Sequence, residues 1–276
     1  MPCAAHPVPI AVAPNGARRS KIDHPALPIG PAELARTAAE TLEAGSAMIH
    51  LHVRDRHGGH LLDADAYQAV LNAVRAEVGD RMVAQITSEA LGIYSPEEQM
   101  AVVRAVKPQA VSLALREILP ETADEAVFAS FLLWMKAERI VPQFILYEPA
   151  EAKRLDILCR RGVVPFVDPP VLYVVGRYAA GQISTPKDLL PFIAVGQPTF
   201  RRFMVCAFGP REASSTLISG LLGGGLRVGF ENNVCLPGGQ IAGSNAQLVE
   251  VVRCGLEAAG VAAMSGEELA ADWSTI

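Results

Sequence analysis

The sequence predicts an α/β fold closed into a single (β/α)8 barrel. Three observations lead there: strand-like apolar runs alternate with helical patterns, the alternation occurs eight times in 276 residues, and no Gly-x-Gly-x-x-Gly follows the first run. Parallel neighbours need crossovers, which helices supply. One α/β barrel commonly takes a chain of this length. An open nucleotide-binding sheet would carry the glycine fingerprint after its first strand. One domain is therefore expected across residues 1–276.

The elements follow in order. The run at residues 8–13 leads into a helix opened by Pro31, with Leu34, Ala38 and Leu42 at helical spacing and Gly45 as its stop. After the run at 47–53, Asp63 caps a helix carrying Tyr67, Val70, Leu71 and Val74 to Gly79. The run at 82–87 precedes Ser95-Pro96-Glu97-Glu98: a cap, a first-turn proline and two acids suited to the positive helix start. Runs at 110–115 and 140–147 precede helices over 123–137 and 150–159. The sixth strand is read at 163–167. Residues 168–185, which hold Asp168-Pro169-Pro170 and a second apolar run at Val171–Val175, are expected to form a long, partly structured loop. A helix over 186–193 follows. Runs at 202–207 and 226–230, with helices over 213–222 and 244–259, complete the eight.

Composition narrows the function classes. Half the residues are apolar and 19% are charged, so a large core is available and disorder is excluded. A net charge of −5 with no run of like charges argues against a nucleic-acid or anionic-membrane surface. No apolar run approaches the roughly 18 residues of a membrane span. Residues 1–7 show no charged start followed by a long apolar region, so no secretory signal is expected. Five cysteines (Cys3, Cys159, Cys206, Cys235 and Cys254) show no paired spacing and read as reduced thiols of a cytoplasmic protein.

In such a barrel the chemistry sits where strands end. His50-Leu51-His52 lies near the end of the second strand. Alternation sends Ile49, Leu51 and Val53 outward under the helices and both histidines inward, about 7 Å apart along the backbone. Two imidazoles on one face can grip a divalent cation; two hydrogen-bonded core histidines are the plain alternative. A third ligand is expected from Glu231, just past the eighth strand, because that strand and the second both flank the first. Arg227 and Gly229 share the inward parity with Glu231, and the glycine is read as leaving room for a ligand. An Arg227–Glu231 ion pair is discounted, since i and i+4 on one strand face lie too far apart. Two histidines and a carboxylate suit catalytic zinc, and non-haem iron(II) uses the same set.

These residues carry a resemblance. Ile49-His50-Leu51-His52-Val53-Arg54-Asp55, Gly229-Phe230-Glu231-Asn232-Asn233 and Ser244-Asn245-Ala246-Gln247-Leu248-Val249 resemble the β-keto acid cleavage enzymes of the 3-keto-5-aminohexanoate type, over about residues 8–260. The resemblance implies a zinc-dependent (β/α)8 TIM barrel, cytoplasmic and homo-oligomeric as a tetramer. It implies exchange of a β-keto acid with acetyl-CoA to give acetoacetate and a new acyl-CoA. It places zinc on His50, His52 and Glu231, and Arg227 beside the reacting group.

Departures from that pattern are as informative. Asn232 stands where the family has an aspartate that works with the arginine in proton transfer, and asparagine cannot take a proton. Glu89 and Glu148, at the ends of strands three and five, are the candidate substitutes. Gln143 and Ile145 replace two family carboxylates, and Ala114 and Arg116 replace an asparagine and a glycine. Thr87, Ser88 and Ser112 keep hydroxyls for substrate. Arg18 falls where the prototype has the glutamate that binds an amino group, so a non-cationic substrate is expected. A solvated loop arginine is the plain alternative. Arg54-Asp55 is read as orienting the histidines or substrate, or as a structural pair. His6, His24, His57 and His60 are expected at the surface, and Cys206 is a weak nucleophile candidate. Two rival functions stay open: a metalloenzyme acting on a keto acid without CoA, and a metal-dependent oxo-acid binder without turnover.

Overall fold

The computed structural model describes residues 6–276; Cys3 and most of the residues 1–7 read above for a secretory signal lie outside the described residues. Along the chain run β1 (Ile10–Val12), α1 (Pro31–Glu43), β2 (Met48–Leu51), β3 (Val53–Arg54), β4 (His60–Leu61), α2 (Ala64–Val78), β5 (Val83–Thr87) and α3 (Pro96–Val106). Next come β6 (Ala110–Ala114), α4 (Leu115–Ile118), α5 (Glu125–Ala137), β7 (Val141–Leu146), α6 (Pro149–Arg160) and β8 (Val171–Val175). A 3₁₀ turn at Pro186–Leu189 runs into α7 (Leu190–Ile193), and β9 (Phe203–Ala207), α8 (Glu212–Leu221), β10 (Gly225–Val228), α9 (Asn245–Ala258) and α10 (Gly266–Trp273) finish the chain.

Eight of these strands close a parallel barrel in the order β1-β10-β9-β8-β7-β6-β5-β2, with β1 pairing both β10 and β2. β3 and β4 form a small antiparallel hairpin above β2. The expected α/β barrel is therefore the observed one. Its helix starts follow the sequence signals. Asp63, Ser95 and Ser244 each accept a backbone N–H of the first turn, from Ala66, Glu98 and Gln247. Pro31, Pro96 and Pro149 occupy first-turn positions where no N–H is needed.

Strand alternation sorts the core into two layers. Ile10, Val12, Ile49, Leu51 and Ile86 pack outward beneath the helices, while Ala11, Met48, Val83, Leu172 and Met204 fill the barrel. Leu269 and Trp273 join the inner layer, so α10 caps the end where β5, β6 and β7 begin. A bidentate pair from Arg202 to Asp272, at 2.8 and 2.9 Å, fastens α10. The polar end of the barrel is thus the opposite one, where strands stop.

The sixth barrel strand differs from the expectation. It is β8, Val171–Val175, seated between β7 and β9, and residues 163–167 form turns outside the barrel. The earlier run is interrupted by Pro165 and only partly buried, whereas Val-Leu-Tyr-Val-Val is unbroken and wholly buried. The shift puts Gly176 and Arg177, not residues after 167, at a catalytic strand end.

Gly229 also has a different role from the one expected. Its φ is +137°, and a Cβ there would run into the backbone of Ala13 at the end of β1. The glycine lets β10 approach β1 and turn sharply, rather than leaving space for a ligand. Gly229→Ala is expected to destabilise the protein by about 2–4 kcal/mol, combining strain with overpacking. Denaturant unfolding of the two proteins measures it.

Candidate active site

β2 supplies the histidines. Both are 1% exposed, and their Nε2 atoms face each other at 3.1 Å. His50 Nδ1 lies 2.7 Å from Gln85 Oε1 on β5, so its proton sits there and Nε2 keeps a free lone pair. Gln85 in turn donates to Gln143 Oε1 at 3.0 Å. Asn15, in the loop after β1, donates to the His52 carbonyl at 3.0 Å and fixes the strand end. Burial, with Arg227 nearby, pushes the His50 pKa down to about 3, so the ring is neutral.

Glu231 arrives by a turn, not by strand alternation. β10 stops at Val228, and Asn232 N–H closes onto the Gly229 carbonyl at 2.8 Å. Glu231 N–H meanwhile holds the Ala13 carbonyl at 3.1 Å. The carboxylate swings back over the histidines. Its Oε2 lies 3.7 Å from His50 Nε2 and 3.4 Å from His52 Nε2. Gly16 forms its cradle: a Cβ there would meet Glu231 Cγ at 2.5 Å. The turn also brings Oε1 within 3.1 Å of Arg227 Nη2, an ion pair the extended-strand reasoning had discounted. Burial alone would raise the Glu231 carboxyl, but Arg227 and the imidazoles hold it well below the usual range.

The donor set fits a divalent cation. Glu231 Oε2 is buried without a hydrogen-bond partner, and two imidazole nitrogens converge on it. All three ligand atoms lie within 4.8 Å of one another, the only such His, Cys, Asp or Glu group among the described residues. The neutral His50 ring beside an ionised Glu231 carboxylate matches the ligand states a metal takes.

A cavity opens above these atoms. Arg227, 2% exposed, reaches it from β10. Its Nη2 donates to Glu231 and to Asn232 Oδ1, while Nε and Nη1 are buried without partners. Thr87 and Ser112 line the wall, joined by a 3.2 Å hydrogen bond between hydroxyls. Glu89 lies 3.8 Å from His52 Nδ1, and Arg177 stands 3.8 Å from Glu89 on the other side.

This arrangement matches a known group of proteins. The sequence profile of the beta-keto acid cleavage enzymes covers residues 7–271. The chain belongs to that family. It is 28% identical over 251 residues to the 3-keto-5-aminohexanoate cleavage enzyme of Acetoanaerobium sticklandii, covering 88% of this chain and 89% of that one. It is 25% identical over 256 residues to the 3-oxoadipate:acetyl-CoA acetyltransferase of Cupriavidus necator, covering 89% and 87%. Among solved structures, apo ObcA superposes with a TM-score of 0.73 at 16% identity, a likeness of fold. That match covers 91% of this chain, which spans about two thirds (66%) of the ObcA chain.

Within this family member the other sequence candidates separate. Ser88 is fully buried away from the cavity and donates to the Ser112 carbonyl and to Gln99, because alternation along β5 turns it opposite to Thr87. Glu148 also lies outside: the chain turns into α6 at Pro149, leaving Glu148 exposed against Arg116 while Tyr147 enters the cavity. Asn232 is buried behind Arg227 and does not line the cavity. Arg18 is exposed on an outer rim pocket beside Arg19 and Gln182. Arg54 donates to the carbonyls of Asn15, Gly16 and Arg19, pinning the loop after β1, and Asp55 closes its own turn on His57 and Gly59. His24 and His60 are buried, bonded to the carbonyls of Ala242 and Glu89 at 2.7 Å, not at the surface as expected. Burial pushes the Cys206 thiol up to about 11, which removes it as a nucleophile. Gln85, Arg177 and Tyr147 escaped the sequence reasoning as site residues. A polar residue of inward parity on β5 was the available signal for Gln85.

Proposed function

We propose that this chain exchanges a β-keto acid with acetyl-CoA, giving acetoacetate and a new acyl-CoA, with zinc held by His50, His52 and Glu231. The observation that carries this is the convergence of three ligand atoms, one of them an orphaned carboxylate oxygen, beneath an arginine with two unpartnered N–H groups. Family membership supplies the reaction class. No helix of the described residues is long and apolar enough to cross a membrane. The enzyme is proposed to act in the cytoplasm as a homo-oligomer, a tetramer on the family pattern. The exposed apolar side chains of Leu190, Ile193 and Val195, close together in the chain, support association.

The residues divide the work. A divalent ion on this triad supplies Lewis-acid polarisation of a carbonyl oxygen. Arg227 offers Nε and Nη1 to an oxygen that gains negative charge, from a dry site where such donors are strongest. Thr87 and Ser112 orient the keto acid through their hydroxyls. Glu89 moves the proton that the family aspartate would handle, since Asn232 cannot. Asn232 holds Arg227 in place. The cations around the site exclude an amino or trimethylammonium tail. The relatives' own names span both kinds of tail, from aminohexanoate to oxoadipate.

A screen of β-keto acids with acetyl-CoA, reading acetoacetate alongside metal content, tests the proposal. Metal-dependent turnover without CoA would replace it with a different keto-acid enzyme. Binding without turnover would make the chain an oxo-acid binder, the outcome that Asn232 favours if Glu89 does not serve. Within the site, Gln85→Leu removes the partner of His50 Nδ1 and is expected to weaken zinc binding about 10–100-fold. Competition of the apo protein against a chelating dye measures this.

A further inference from the structure

We infer that Arg177 is a second anion receptor of the cavity, and that the substrates are β-keto dicarboxylic acids whose distal carboxylate it binds. The inference rests on the keto-acid chemistry proposed above and names the tail. Arg177 follows Gly176 directly after β8 and lines both the inner cavity and the outer rim. Its side chain is only 12% exposed. The guanidinium lies 5.1 Å over the Phe208 ring, which fixes its plane. Its one ion-pair contact among the described residues is Glu89, at 3.8 Å and beyond hydrogen-bond distance. Only the Arg177 carbonyl takes part in a hydrogen bond, from Gln182.

None of the five guanidinium donors is engaged by a protein group within hydrogen-bond distance, and a planar fork suits a carboxylate that arrives with a ligand. Arg18 and Arg19 stand farther out, on the rim and not on the inner cavity wall, and two other arginines near the site are engaged elsewhere. Arg54 is used on backbone carbonyls, and Arg116 is paired with Glu151 at 2.6 Å. Arg227 faces the reacting end. Charge points the same way. With a divalent ion in place, the cavity holds two arginines and the ion against Glu89 and Glu231, leaving two positive charges in excess. A dianion neutralises them and a monoanion leaves one exposed. Ala114, Ile145 and Val174 make part of the wall apolar, which suits a short methylene spacer.

The test compares 3-oxoadipate with 3-oxohexanoate, acids of equal chain length that end in a carboxylate and a methyl group. Their binding to the zinc-loaded protein is measured by calorimetry, separately from acetyl-CoA exchange. The diacid is expected to bind at least tenfold more tightly. Arg177→Met should bring that ratio close to one, and Arg177→Lys should restore part of it. Equal binding by the native chain, or a ratio unmoved in Arg177→Met, overturns the inference. Exchange of both acids without preference would leave the reaction standing and remove Arg177 from it. Tight, Arg177-dependent diacid binding without exchange would do the reverse.

Discussion

Replacing His50 and His52 together with alanine is expected to abolish stoichiometric binding of the proposed zinc and to lower the proposed β-keto acid exchange by about 10³-fold or more. The size follows from the load on the triad: Lewis-acid help is worth several kcal/mol of barrier, and each 1.4 kcal/mol is tenfold in rate. The fold should survive. The two rings hang inward from β2, whose outward residues Ile49 and Leu51 keep the strand packed under the helices. Glu231 retains Arg227 as its partner at 3.1 Å, so no buried charge is stranded. Circular dichroism should show native secondary structure while plasma emission finds the protein empty of metal. Full zinc occupancy in the double variant would place the metal elsewhere and sink the assignment.

What the sequence could reveal divides along one physical line. Features set by strict periodicity were legible. The two-residue repeat of a strand sent His50 and His52 inward, and the count of alternations gave the barrel. Features set by turns were not. Glu231 reaches the histidines because Gly229 reverses the chain at φ +137°, and the same turn makes the contact with Arg227 that extended geometry forbids. Arg177 was hidden for a related reason. Two apolar runs competed for the sixth strand, and the full burial of Val171–Val175 between β7 and β9 decides between them. Glu89 and Glu148 looked equivalent at their strand ends. A helix that starts immediately at Pro149 carries Glu148 out to solvent, whereas the chain after β5 runs on without a helix until Pro96 and leaves Glu89 beside His52.

That contrast sets up the second large effect. Glu89→Gln is expected to slow exchange about 10²–10⁴-fold, roughly 3–5 kcal/mol of barrier, the usual worth of general acid–base help. Glu148→Gln should change it less than about twofold, as expected of an exposed surface acid. Glu89 qualifies by position: it faces the cavity, 3.8 Å from His52 and 3.8 Å from Arg177, and keeps the side-chain freedom to reach a substrate proton. Its isosteric amide keeps hydrogen bonding and loses only the proton affinity, so substrate binding should hold while kcat falls. Asn232 has no such access. It is wholly buried, and its amide is committed to Arg227 through Oδ1 and Nδ2, both at 3.3 Å. Asn232→Asp therefore adds a carboxylate behind the arginine rather than in the cavity, and gains less than tenfold while Glu89 is present. The opposite pattern decides against Glu89: a native rate in Glu89→Gln together with a gain of tenfold or more in Asn232→Asp. The proton would then travel through position 232 as in the relatives, and the native chain would be a slow enzyme for want of one carboxylate.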